Sequence, residues 1–152
     1  MIQQLLSSHI FWSILAASFT AQAAKICLLI FKKKEKFQWS DLFVTGNMPS
    51  GHSALVTALT VSILLSEGFS PLFFMSFVFA AIVVRDAVGV RRAVGEEGKV
   101  LSNIITVLKT RFHINIPRKM HQSLGHQPIE VFIGSLIGIL SSVGVYLYFL
   151  YF

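Results

Sequence analysis

From Ile10 to Phe31 the chain runs for about 22 residues with a single charge, Lys25, and then meets Lys32, Lys33, Lys34 and Lys36 at once. About 20 apolar residues in a helix match the hydrocarbon thickness of a bilayer, and in lipid a helix satisfies its own backbone hydrogen bonds. A second stretch, Pro128 to Phe152, carries only Glu130. Between them lie two shorter apolar runs, Ser53 to Ser66 and Leu72 to Val84, joined by Glu67-Gly68-Phe69-Ser70-Pro71. Gly and Pro make that joint a turn, so the two runs form a helical hairpin. Arms of about 14 to 18 residues are short for a span; a tilted span, a thinned bilayer and a re-entrant hairpin all remain open. No basic n-region precedes the first apolar run, which is too long for a signal-peptide core and reads as a membrane helix.

Composition agrees. Apolar residues make up 54% of the chain and charged residues 13%, against about 25% charged in a typical globular protein. A soluble domain of 152 residues with 14 Phe would leave much of that surface in water. The segment Val100 to Leu108 sets Val100, Leu101, Ile104, Ile105 and Leu108 on one helical face and Ser102, Asn103, Thr106 and Lys109 opposite, an interfacial pattern. It follows a polar stretch, Gly89 to Lys99, and precedes a basic, loop-like one, Arg111 to Gln127. The expected architecture is all-α: one membrane-embedded domain over residues 1–152, an integral membrane helical bundle of about four membrane helices, the middle two a short hairpin, plus one interfacial helix.

The charges sort by side. With the chain entering the cytoplasm after Phe31, every Lys and Arg outside the helices falls on the cytoplasmic face, and the other face holds Glu67 and the two termini. This is the positive-inside pattern. The net charge of +6 therefore points to anionic lipid headgroups as partner. No basic stripe with interleaved aromatics points to nucleic acid. The single cysteine, Cys27, cannot form an intrachain disulfide and reads as a small buried apolar residue.

Two short stretches could carry chemistry. Ser50-Gly51-His52 stands at the start of a helix on the cytoplasmic side, where free backbone N–H groups and the positive end of the helix dipole suit a phosphate and Gly51 admits close approach. His126 precedes the last helix, and Glu130 lies four residues on, on about the same face. A carboxylate beside a histidine fixes its tautomer and stabilises its cation. Two histidines at a phosphate-sized cradle permit attack by one and proton donation by the other.

These stretches resemble the divergent branch of the type 2 phosphatidic acid phosphatase family, which is related to vanadium-dependent haloperoxidases. Met48-Pro49-Ser50-Gly51-His52-Ser53 through Ala58 resembles the family's second motif. Asp86-Ala87-Val88-Gly89-Val90-Arg91-Arg92, with Gly95, resembles a signature of the divergent branch. Gly125-His126-Gln127-Pro128-Ile129-Glu130-Val131, with Gly134 and Gly138, resembles the third motif. The resemblance implies a membrane phosphatase acting on a lipid phosphate without metal or cofactor. His126 would be the nucleophile that forms a phosphohistidine, Glu130 its orienting carboxylate and His52 the general acid. Ser50 and Gly51 would hold phosphate oxygens, and Lys25, Arg91 and Arg92 would neutralise them. Glu130 stands where the family has Asp, the six positions before His126 contain no Arg, and the first motif is reduced to Lys25.

A non-catalytic membrane protein that binds lipid headgroups or supports a membrane complex is the competing reading. A magnesium-dependent phosphotransferase needs clustered carboxylates, and Asp41, Asp86 and Glu130 are scattered. Asp86 reads as a partner of Arg85, Arg91 or Arg92; His9, His113 and His121 read as interfacial. Gly134, Gly138 and Ser142 form a small-residue stripe for helix packing, either within the chain or in a homodimer.

Overall fold

A computed structural model describes residues 7–33, 48–112 and 127–152, without the side chains of Arg91 and Arg92. Five helices follow one another: α1 (His9–Lys33), α2 (Gly51–Glu67), α3 (Pro71–Val88), α4 (Val90–Phe112) and α5 (Pro128–Tyr151). There is no strand among the described residues. Three stretches, His9–Phe31, the one beginning at Pro71 and Pro128–Tyr151, are long and apolar enough to cross a membrane; Gly51–Glu67 is a shorter apolar helix. The exposed apolar side chains, Phe19, Met75, Phe132 and Leu140 among them, are what a lipid-facing surface requires.

The hairpin is punctuated as its sequence demands. Gly68 closes α2 at φ 66°, in the left-handed region, and its N–H donates to the Leu64 carbonyl. Ser70 then caps α3, its hydroxyl accepting from Phe73 N–H at 3.2 Å, and Pro71 fills the first turn, where no donor is lost. In mid-hairpin Thr60 Oγ1 donates to the Ser76 carbonyl at 3.2 Å, tying α2 to α3.

α2 is the central helix, packed against α1, α3 and α5. Its closest neighbour is α5, and small residues make that possible. A Cβ on Gly134 would collide with the Ser50 carbonyl oxygen, and one on Gly138 would collide with the Ala54 carbonyl oxygen and come within 3.0 Å of Ala58 N and Thr57 Cβ. One turn further, Ser142 Oγ donates to the Ala58 carbonyl at 3.0 Å. The stripe foreseen for packing within or between chains is thus taken up inside the chain, and a homodimer would have to use another face. α1 runs antiparallel to α5: His9 stacks edge-on against Tyr146 at one end, and Thr20 Oγ1 meets Ser141 Oγ at 3.3 Å midway.

One element differs from the expectation. The helix expected over Val100 to Leu108 begins ten residues earlier, directly after Gly89. Val90 and Val94 continue upstream the stripe of Leu101, Ile105 and Leu108, so one amphipathic face runs the whole helix. α4 packs only against α3 among the described helices. Lys109 and Arg111 in its last turn suit the negative end of its dipole.

Candidate active site

α2 and α5 run parallel and begin side by side. The Ser50 N–H donates to the Glu130 carbonyl at 3.0 Å, joining the residue that caps α2 to the first turn of α5. The Gly134 contact with Ser50 sets this approach. Two helix N-termini therefore open at the same end of the bundle, each leaving its first N–H groups without intrahelical partners and each contributing the positive end of a dipole.

Each start is locally determined. Ser50 is fully buried, and its hydroxyl accepts from Ser53 N–H at 3.4 Å and from Ser53 Oγ at 3.0 Å. That hydroxyl is spent on the cap, so this corner presents backbone N–H groups of α2 outward. Ser53, which sequence reading passed over, completes the cap; its signal is the Ser-x-x-Ser spacing at a helix start. Space around Gly51 is open: a Cβ there would meet nothing within 4 Å. His52 follows, exposed, in the first turn. In α5, Pro128 occupies the first turn, Glu130 N–H donates to the Gln127 carbonyl at 2.9 Å and Gln127 N–H donates back to Glu130 Oε2 at 3.2 Å. Gln127 is thus a second residue that sequence reading missed.

Glu130 is only 9% exposed, and its opposite charge comes from α1, where the Lys25 ammonium interacts electrostatically with it. The structure thus brings Ser50, Gly51, His52 and Glu130 together at the joined starts of α2 and α5, with Lys25, about two turns inside the end of α1, interacting electrostatically with Glu130. His126 lies outside the described residues. Arg91 and Arg92 stand in the first turn of α4, just past the end of α3. Among the described residues, no group of three or more His, Cys, Asp or Glu is arranged to hold a metal ion.

Chemically, this end can hold an anion. Two helix starts and one lysine lie near it, and the carboxylate in the first turn of α5, Glu130, already accepts from a backbone N–H and feels the charge of Lys25. Ionisable groups within membrane bundles, such as Lys25 and Glu130, are costly to keep and are candidates for function.

No solved structure matches the chain. The chain is 38% identical over 159 residues to an uncharacterized membrane protein, YuiD, of Bacillus subtilis (strain 168), covering 97% of this chain and 99% of the relative. Residues 6–141, which include α1, the hairpin, α4 and the start of α5, match the divergent PAP2 family. This multi-pass membrane chain belongs to the divergent PAP2 family.

Proposed function

We propose that the chain is a membrane lipid phosphate phosphatase working through a phosphohistidine. The observation that carries the reading is the Ser50–Glu130 backbone bond: the two stretches singled out for chemistry start from the same corner of the bundle, with Lys25 beside them. His126 attacks phosphorus, forming an N–P bond as the P–O bond to the lipid breaks, and His52 gives its proton to the leaving oxygen. A water then attacks the phosphohistidine, His52 takes its proton, the N–P bond breaks and inorganic phosphate leaves. Glu130 holds His126, Lys25, Arg91 and Arg92 neutralise the phosphate oxygens, and the backbone N–H groups of the first turn of α2, from Gly51 on, donate to them. The Lys32 to Lys36 run follows directly from the same end of α1, so by the positive-inside rule this site faces the cytoplasm.

The test is phosphate release by purified protein in detergent, with excess chelator, from phosphatidate, phosphatidylglycerol phosphate and a polyprenyl diphosphate. Release from at least one, abolished by His126→Ala, is expected. No release from any of them refutes the reading and favours a headgroup-binding role at the same corner.

A further inference from the structure

The hairpin register decides which residues of α2 and α3 share a depth. Thr60 and Ser76 are bonded to one another, and the two helices run antiparallel away from Gly68. Counted from that bond towards the site, Ser50 and Asp86 stand at equal depth, about 15 Å away, and His52 about 3 Å nearer, at about 1.5 Å of rise per residue.

They also share a side. α3 turns Phe73, Ser76 and Ala87 inward. With 3.6 residues per turn, Asp86 lies about 100° from the centre of that stripe, while Arg85 points away from α2. On α2, Ala54 and Ala58 carry the α5 contact and Thr60 faces α3. His52 falls on the flank of α2 away from α5. Right-handed helices packed antiparallel place Asp86 on that same flank, with the half-buried Val84 and Val88 on the other, towards α5. Among the described residues, α1 and α3 do not pack against each other across this flank. Along it Met75, Phe79 and Ile82 are 70%, 52% and 62% exposed, yet Asp86 at its site end is half-buried. A carboxylate ending a lipid-facing row needs a donor or cation.

We infer that Asp86 is a positioning residue for His52: its carboxylate accepts from one imidazole nitrogen, fixes the ring and holds the proton on it. The inference rests on the phosphatase reading for its catalytic meaning, but the pairing is measurable without turnover. Among the described residues, the other charges at this end are Lys25 and Glu130, which interact electrostatically between α1 and α5, Arg85 on the far side of α3, and Arg91 and Arg92 at the start of α4.

Histidine-labelled protein in detergent micelles is titrated by NMR, with the His52 ring signals assigned by their loss in His52→Gln. An opposite charge within about 4–6 Å shifts a titration by about 1–3 units. Asp86→Asn is expected to lower the His52 midpoint by about one pH unit or more, Asp86→Glu to restore it, and Arg85→Gln to leave it in place. An unchanged midpoint in Asp86→Asn overturns the inference and assigns Asp86 to the arginines alone. Should Asp86→Asn not fold, the Asp86 carboxylate is titrated in His52→Gln: a raised midpoint upholds the pair, an unmoved one overturns it. Phosphate release is measured on the same samples. A shifted midpoint with no release even from the unsubstituted protein leaves the pair standing and removes the phosphatase reading.

Discussion

Replacing Gly134 by alanine adds one methyl group, and the structure leaves it nowhere to go. The new Cβ would collide with the Ser50 carbonyl oxygen and sit 3.2 Å from its carbon. Both are backbone atoms, so no rotamer change relieves the clash; α2 must move away from α5. Overpacking of this kind costs about 1–3 kcal/mol. The movement also stretches the Ser50 N–H to Glu130 carbonyl bond, worth about 0.5–1.5 kcal/mol. A loss of about 2–4 kcal/mol follows. Gly144→Ala is the control: a Cβ there meets nothing within 4 Å, and alanine in a helix is favoured by up to about 1 kcal/mol. Unfolding by SDS in mixed micelles, followed by circular dichroism, reads both variants on one scale. Equal stability of Gly134→Ala and Gly144→Ala would refute the close packing of α5 on Ser50, and with it the joined helix starts.

Phosphate release should persist in excess chelator and be inhibited by vanadate, a five-coordinate phosphoryl mimic; loss in chelator with rescue by magnesium would exclude the two-histidine mechanism. Lys25→Met should lower the melting temperature in detergent more than Lys25→Met combined with Glu130→Gln, because a carboxylate stranded without its cation costs more than a neutral pair. In a background lacking Cys27, single cysteines within Lys32–Lys36 and near Arg118 should react with an impermeant thiol reagent only from the cytoplasmic side; labelling from opposite sides would break the one-sided site. General acid catalysis is worth about 10²- to 10⁴-fold, so His52→Ala should retain proportionally more activity on a nitrophenyl phosphate than on a lipid phosphate, whereas His126→Ala should lose both alike. Equal residual rates for His52→Ala on the two substrates would count against its role as acid.

Hydropathy made the helices legible, because a bilayer sets both length and composition at once. The start of α4 was not legible in the same way: the polar half of an amphipathic helix looks like a loop until Val90 and Val94 are placed on the stripe of Leu101. The Gly134, Gly138 and Ser142 stripe was visible as a packing face, but periodicity names a face and never its partner; only the contacts to Ser50, Ala54 and Ala58 show that it serves α2. Ser50 illustrates a different limit. A serine before a helix has two uses, cap and ligand, and the spacing to Ser53 decides in favour of the cap.

The short central helix is consistent with the proposed use of its N-terminus. At 17 residues α2 is about 25 Å long, less than the roughly 30 Å hydrocarbon thickness of a bilayer. α1, by contrast, continues about 12 Å past Lys25 to Lys33. On those extra turns Leu28, Ile30 and Phe31 are 40%, 52% and 83% exposed, apolar surface that only lipid tails cover well. The corner where Lys25 meets Glu130 therefore lies below apolar surface. An anion must come down past the headgroup layer to reach it. A free phosphate in water would lose its hydration without the gain a lipid has from keeping its chains in hydrocarbon. On the proposed phosphatase reading, a lipid phosphate entering between α1 and α3, which do not pack against each other among the described residues, would keep its chains in hydrocarbon and bring only its terminal phosphate to the two helix starts. A long α2 reaching the surface would remove that difference between lipid and soluble esters.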